Sequence, residues 1–309
     1  MGSSRRQILL AGSAAFAILG IAGPAVWARA PARDTLVIGS VSRSIKEEVE
    51  TFQPLADYMG TRLRGAGIRA VEVAVTTTAG EMARRIAADE VDLYIDSPFV
   101  IARINRQVGL QPLLRRWKKG AAEYHSVFVA REDSGITSFD GLLGKVIAFD
   151  DPQSSSGHLL PKAMLLERGY HLIELRGERD YVPPDAIGYV FSMDDVNTMF
   201  WIARGKVAAG VTSPEFLELY RKKGNDELIA FARSIDIPRH VVAHRPDLDP
   251  AVVREVERVL LGMEHDGAGR RTLQAFQKTT RFDRFPGGVD ATFAPIFAML
   301  DRLEGRMTN

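Results

Sequence analysis

Short apolar runs alternate with longer amphipathic stretches from about residue 35 onward. Runs of four to seven apolar residues are typical of buried strands, and apolar residues spaced three and four apart are typical of helices. In the first half, the pattern predicts strands at 35–41, 71–75, 91–95, 110–117 and 124–132. Helices are predicted between them: Thr78 and Glu81 form a capping-box pattern, and Ser97 precedes Pro98 at the start of another helix.

The same alternation resumes in the second half of the chain. Predicted strands and helices follow one another at 146–150, 157–169, 187–191, 194–205, 207–213, 214–224, 240–244 and 250–263, with a last helix near 293–300. Two blocks of alternating strands and helices predict an α/β protein of two lobes, each a mainly parallel sheet flanked by helices. We expect lobe one to comprise residues 34–125 plus 237–309, and lobe two residues 126–236.

The first 30 residues are typical of a bacterial export signal that is removed from the mature protein. Arg5 and Arg6 precede an apolar run at 8–22, and small residues follow, with a favourable cleavage position after Ala28. The run is short and rich in glycine and alanine, which makes it a weak membrane span. The paired arginines favour the twin-arginine route, with a general secretory signal as the alternative. The sequence therefore predicts a periplasmic protein.

Composition narrows the classes of function. Hydrophobic residues make up 46% of the chain and charged residues 26%, as in globular proteins, and a net charge of +1 does not favour nucleic acid as a partner. No cysteine is present, and no nucleotide-binding glycine motif occurs. His240 and His244 lie four apart on a predicted strand, too far apart to share a zinc ion, so surface or hinge positions are expected for them. The basic run at 115–120 is expected to be a solvated rim. We therefore predict no metal and no cofactor.

Three adjacent serines mark the end of a strand and the start of a helix. Ser154, Ser155, Ser156 and Gly157 follow the strand at 146–150. In open α/β sheets, ligands bind at the carboxyl ends of the strands, beside helix N-termini whose free N–H groups attract anions. Neutral hydroxyl donors at this point favour a small oxyanion such as phosphate, phosphite or phosphonate. The alternative is ordinary helix capping, in which serine is a preferred residue.

Other predicted strands end in serines as well. Ser42 follows the first strand and Ser97 the third, so both are candidate ligand-binding residues, again with capping as the alternative.

Three segments resemble a known family: FQPLADYM at 52–59, the block at 123–165 and DDVNTMFWIARGKVAAGV at 194–211. They are similar to the periplasmic substrate-binding proteins of phosphonate, phosphite and phosphate ABC transporters. The resemblance implies a type II periplasmic-binding-protein fold, in which two lobes joined by a two-strand hinge close on an anion. It also implies an inner-membrane permease as partner and no enzymatic activity; we expect a monomer.

The resemblance assigns residues too. The family's serine-rich segment corresponds to DPQSSSG at 151–157, and its tyrosine and serine at the lobe crossover correspond to Tyr124 and Ser126.

The chain departs from the family pattern at several positions. Asp195 stands where phosphonate-binding members usually carry histidine, IDSPF replaces a Leu-Gly-Pro segment, and Ala208 replaces an aspartate. A carboxylate at Asp195 or Asp96 could meet an ammonium group of an aminoalkylphosphonate or accept a proton from a monoprotonated anion. Asp195 also completes a capping-box pattern with Ser192.

Two other functions remain open from the sequence. QSSSG at 153–157 lies between a strand and a helix, the setting of a hydrolase nucleophile, which would make Ser155 the nucleophile. Gln153 replaces the first glycine of that motif. The chain could also be a binding protein that reports to a membrane sensor.

Overall fold

Two six-stranded sheets form the framework of the computed structural model, which describes residues 34–224 and 227–305. The strands are β1 (Thr35–Val41), β2 (Ala70–Thr76), β3 (Leu93–Asp96), β4 (Gln111–Arg116), β5 (Glu123–Tyr124), β6 (Val127–Arg131), β7 (Val146–Phe149), β8 (His171–Glu174), β9 (Ala186–Phe191), β10 (Ala209–Thr212), β11 (Leu228–Arg233), β12 (Ile237–Pro238), β13 (His240–His244) and β14 (Phe282–Asp283). The predicted export signal lies outside the described residues.

Helices cover the faces of both sheets. They are α1 (Ile45–Arg62), α2 (Ala79–Ala87), α3 (Pro98–Val108), α4 (Leu160–Glu167), α5 (Asp195–Ala203), α6 (Pro214–Arg221), α7 (Pro250–Gly262), α8 (Gly267–Ala275) and α9 (Gly288–Leu303). Within the described ranges, none of these helices has the length and apolar character that a membrane crossing requires.

The first sheet has the strand order β14-β4-β13-β3-β1-β2. β1 runs parallel to β2 and β3, whereas β13 runs antiparallel to both β3 and β4, and β14 antiparallel to β4. Four of its strands therefore share one direction, and their carboxyl ends meet at one edge.

The second sheet has the order β11-β6-β10-β7-β9-β8. β7 is parallel to β9 and β10, β8 is parallel to β9, and only β6 runs against its neighbours β10 and β11. This sheet is built from residues 127–233, and the first sheet from residues on either side of that segment.

A two-stranded ribbon joins the two halves. Tyr124 in β5 pairs with Ile237 in β12, and the backbone N–H of Ser234 donates to the carbonyl of Ser126 at 2.9 Å. The chain thus crosses twice between the sheets, side by side, which is the two-strand hinge that the family resemblance implies. The long strand predicted at 124–132 is interrupted by this crossing and forms β5 and β6.

Apolar packing continues across the crossing. Leu160 and Ala163 of α4, on the side of the second sheet, belong to the same buried cluster as Phe293 and Ile296 of α9, on the side of the first. The two lobes therefore share a hydrophobic contact beside the hinge.

The predicted helix starts agree with the structure to different extents. Thr78 caps α2, accepting a hydrogen bond from the backbone N–H of Glu81 at 3.2 Å. Ser97 occupies the N-cap position of α3 and Pro98 its first turn, but the Ser97 side chain makes no capping hydrogen bond. The helix predicted at 157–169 begins earlier, as a π-helical turn at Ser155–Leu159 that continues into α4.

Candidate functional site

The carboxyl ends of the strands in the two sheets face each other. The hydroxyl of Ser155, after β7, donates to the hydroxyl of Ser97, after β3, at 2.9 Å. Arg43, after β1, reaches the carboxylate of Asp151, after β7, at 3.0 Å. Both contacts join one lobe to the other at the edges where α/β proteins bind ligands.

The serine-rich segment forms a tight turn at this edge. Ser154 is the N-cap of the π-helical turn, and its hydroxyl accepts from the backbone N–H of Gly157 at 3.0 Å. A Cβ atom on Gly157 would lie only 2.4 Å from the Cβ of Asp150. The turn therefore requires glycine because the backbone approaches the end of β7 closely.

The other two serines contact the hinge. The Ser126 hydroxyl donates to the carbonyl of Ser156 at 2.6 Å, and Ser126 is fully buried. Burial raises the pKa of Tyr124 to about 12, while the charge of Arg239 and hydrogen bonds with Ser155 and Ser156 act to lower it. The structure thus brings Ser97, Ser155, Ser156, Tyr124 and Ser126 into one hydrogen-bonded cluster.

Ser42 lies apart from this cluster. It is half-buried in the loop after β1, and its hydroxyl accepts from the backbone N–H of Ser44 at 3.1 Å. This is the local turn contact that the alternative interpretation predicted.

Asp195 does not cap its helix. The N-cap of α5 is Asp194, which accepts from the backbone N–H of Asn197 at 2.7 Å, so the capping-box interpretation of Asp195 is wrong. The Asp195 carboxylate instead accepts from the Thr212 hydroxyl at 2.7 Å, at the end of β10. Burial raises the pKa of Asp195, and Thr212 partly opposes that shift.

Acidic groups gather on the lobe-two side of the cleft. Burial, together with the charge of Asp195, raises the pKa of Asp150 to about 6, and Asp151 and Asp194 act in the same direction. The edge predicted to receive an oxyanion therefore carries several carboxylates as well as hydroxyls.

Basic groups gather on the lobe-one side, where the predicted solvated rim is wrong for Arg115 and Arg116 but agrees with the exposed Lys119 and Gly120. Residues 115–120 were expected to form a solvated rim, yet Arg115 and Arg116 are only 5% and 1% exposed. They end β4, whose last three residues are all buried because β13 and β14 flank the strand on both sides. A strand at 110–117 was predicted, but its position between two later strands cannot be inferred from local sequence.

A cavity of about 290 Å³ opens at this edge of the first sheet. Its polar lining combines cations, carboxylates and neutral groups from β1, α1, β3, β4 and β13 and from the segments after β4 and α8; these residues are Ser40, Glu48, Asp96, Arg116, Lys118, His240 and Gln277.

A second cavity, of about 270 Å³, lies between the lobes. Lys118 and Arg239 line it from the lobe-one side, and Asp195 and Ser213 from lobe two. Lys118 borders both cavities, so the two cavities are neighbours.

The pKa values of the basic groups reflect their burial. Burial lowers the pKa of Arg116 to about 9, and burial together with the positive charges of Arg116 and Arg239 lowers the pKa of Lys118 to about 8. Burial likewise holds the pKa of His240 well below its ordinary value, so this histidine is neutral at pH 7. His240 was expected at the surface or hinge; it lines the lobe-one cavity instead.

The surroundings of Ser155 differ from those of a hydrolase nucleophile. Its hydroxyl contacts Ser97 and Tyr124, and neither is the histidine base of a triad. In the part of the chain that the structure describes, no group of three or more potential ligands is placed to hold a metal ion.

A family model described as "ABC transporter, phosphonate, periplasmic substrate-binding protein" matches residues 38–285. The chain belongs to this family. The match spans both sheets and the hinge, and it confirms the resemblance seen in the sequence.

Solved structures share the fold. XAC2383 from Xanthomonas citri, described in complexes with chloride ion and with ATP, superposes with a TM-score of 0.81 at 26% identity, covering 89% of this chain and 100% of that one. PhnD1 from Prochlorococcus marinus, in complex with methylphosphonate, gives a TM-score of 0.61 at 16% identity, over 89% of this chain and 99% of that chain. These likenesses confirm the two-lobed type II fold.

A signalling protein also shares part of the sequence. The tetrathionate sensor histidine kinase TtrS of Salmonella typhimurium is 29% identical over 150 residues, covering 45% of this chain. The chain spans 24% of the length of that kinase.

Proposed function

We propose that this family member is the solute-binding component of an ABC importer and binds a small phosphorus oxyanion between its lobes. The observation that carries the proposal is the meeting of two carboxyl strand edges across one cleft, with hydroxyl donors on one side and a buried basic group on the other. The protein acts as a monomer in the periplasm and delivers phosphonate, phosphite or phosphate to an inner-membrane permease.

The hydrogen-bonded cluster forms one wall of the proposed site. Ser154, Ser155, Ser156 and Gly157 supply hydroxyl and backbone N–H groups at the lobe-two edge, while Tyr124 and Ser126 fix that turn to the hinge. Ser97 and Ser42 belong to the lobe-one side, and Asp195 faces the cavity between the lobes. The hydroxyls are neutral donors, so lobe-one cations supply the charge that an anion requires.

Calorimetric titration tests the proposal directly. The purified chain is titrated with phosphate, phosphite, methylphosphonate and aminoethylphosphonate, with sulfate, tetrathionate and ATP as comparison ligands. We expect saturable 1:1 binding of at least one phosphorus oxyanion, more tightly than any comparison ligand. Heat of dilution alone with every phosphorus compound would refute the proposal.

A sensory role is the second candidate, and the TtrS match favours it. In this case the chain would present its ligand to a membrane-bound kinase instead of a permease. Tighter binding of tetrathionate than of any phosphorus oxyanion in the same titrations would support this role over uptake.

We also propose export by the twin-arginine route, supported by Arg5 and Arg6 ahead of the apolar run. Replacing both arginines by lysine should retain the precursor in the cytoplasm, as detected by fractionation and immunoblotting. Normal periplasmic yield of the variant would contradict this route and leave export itself standing.

A further inference from the structure

Two cations line the lobe-one cavity, the buried Arg116 and the half-buried Lys118, and neither is paired with the Glu48 and Asp96 carboxylates that share the lining. Arg116 is 1% exposed, and its guanidinium donates to the Thr279 hydroxyl at 2.9 Å and to the Phe276 carbonyl at 3.0 Å. In residues 34–224 and 227–305, neither Arg116 nor Lys118 forms an ion pair within 4.0 Å. Burying a charge is unfavourable unless an opposite charge accompanies it. The two cations therefore favour binding of an anionic group in this cavity.

The ring of His240 lines the same cavity, and its two nitrogens differ in their hydrogen bonding. The Nζ of Lys118 lies 3.4 Å from the Nε2 of His240, and an ammonium group can only donate, so Nε2 accepts. The second ring nitrogen, Nδ1, then carries the hydrogen of the neutral imidazole. This Nδ1 is buried, and it has no hydrogen-bond partner among the described residues. An oxygen of an anion would satisfy it.

Glu48 provides an acceptor beside these donors. Its Oε1 accepts from the Ser40 hydroxyl at 2.6 Å, and its charge acts on both Arg116 and Lys118. A carboxylate repels an oxyanion unless the anion carries a hydroxyl that donates to it. Monoprotonated phosphate, phosphite and phosphonates carry such a hydroxyl, whereas sulfate near neutral pH does not.

The dimensions of the cavity fit a small group. About 290 Å³ lies just below the usual range for ligand pockets, and the cavity neighbours the one between the lobes, since Lys118 borders both. A ligand could therefore place its acidic group here while any remaining part extends between the lobes.

We propose that this cavity is the subsite that binds the monoprotonated acidic group of a phosphorus oxyanion. Lys118, Arg116 and the Nδ1–H of His240 donate to its oxygens, and Glu48 accepts from its hydroxyl. The inference rests on the proposed function. It places the anion against lobe one, opposite the serine-rich turn of lobe two.

The test compares variants by calorimetry with phosphate and methylphosphonate near pH 6.5. Lys118→Met and His240→Phe should each weaken binding about 10- to 100-fold, because each removes one charge-assisted or directed hydrogen bond. Lys145→Met is the matched control: it removes an exposed lysine just before the amino end of β7, at the edge away from the cleft, and should leave affinity unchanged.

The role of the Glu48 carboxylate as acceptor is tested separately, with sulfate as the ligand. The wild-type chain should bind sulfate at least 10-fold more weakly than phosphate, and Glu48→Gln should narrow that ratio because an amide can donate as well as accept. Equal affinities for the two anions in the wild-type chain would overturn the assignment of a protonated ligand.

Folding of each variant is checked by circular dichroism, and imidazole NMR of the unmodified chain provides a readout independent of the variants. Adding phosphate should shift the Nδ1–H resonance of His240. If the wild-type chain binds a phosphorus oxyanion while folded Lys118→Met and His240→Phe bind equally well and the resonance does not move, the subsite is wrong and the proposed function stands. If the wild-type chain binds none of these anions, the proposed function fails first.

Discussion

Two groups of residues meet at the cleft. Serine hydroxyls and a glycine form the lobe-two turn, and basic side chains line the lobe-one cavity. Ser154 and Gly157 were identified because hydroxyls and glycine at a strand end have a direct chemical meaning, and the structure places both in the turn there. Lys118 and His240 were not identified as site residues, because basic side chains are usually solvated. Only the neighbouring strands, distant in sequence, bury this edge.

The raised pKa of Asp150 predicts how the stability of the fold changes with pH. Burial and the charge of Asp195 raise its pKa to about 6, above the 3.8 of an unperturbed aspartate. An acid with a raised pKa in the folded state contributes stability that is complete below pH 3.8 and is lost as the pH rises through about 6. Asp150→Asn removes this loss.

The expected result is a change between two pH values. Relative to wild type, the Asp150→Asn variant should gain about 1–3 kcal/mol in free energy of unfolding between pH 4 and pH 7.5. Denaturant unfolding of both ligand-free proteins at the two pH values measures this. The same difference between variant and wild type at both pH values would show that Asp150 ionises normally.

Helices and strands with a clear hydrophobic period or capping signal could be predicted from the sequence. Elements whose form depends on packing against distant parts of the chain could not. The start of α2 at Thr78 follows from a local capping signal. The π-helical turn at Ser155–Leu159 was predicted as ordinary helix, since its form depends on close contact with the end of β7. The short strands β8 and β14 and the helix α8 were missed, because their sequences lack a clear period and tertiary packing defines them.

A substitution in the π-helical turn at Ser155–Leu159 tests how tightly this element packs against the end of β7. Gly157→Ala would place a Cβ 2.4 Å from the Cβ of Asp150, so the turn or the strand end must shift. We expect a loss of about 1–3 kcal/mol in stability, as for other overpacked sites. Gly80→Ala is the control, since no atom lies within 4 Å of its added Cβ on α2, and it should be neutral or stabilising. Thermal unfolding of both variants measures this difference. Equal melting temperatures for Gly157→Ala and Gly80→Ala would show that the turn accommodates the added Cβ.

At the scale of the whole molecule, charge is divided between the lobes. Lobe one presents the cations Arg116, Lys118 and Arg239 beside the carboxylates Glu48 and Asp96, whereas the titratable groups Asp150 and Asp195 on the lobe-two side are acidic. Arg239 of lobe one and Asp195 of lobe two attract each other across the cleft, and α4 packs against α9 beside the hinge. The direct bridge from Arg43 to Asp151 adds little, because the arginine side chain is 76% exposed. We therefore expect closure of the two lobes to depend mainly on the ligand bound between them.

The most direct test of this account is a crystal structure of the chain grown with methylphosphonate. We predict the phosphorus atom between the two carboxyl strand edges, with its oxygens within hydrogen-bonding distance of Lys118 Nζ and His240 Nδ1, and the methyl group directed toward the lobe-two turn. Ligand density on the outer face of either lobe, with none between the sheets, would contradict the account.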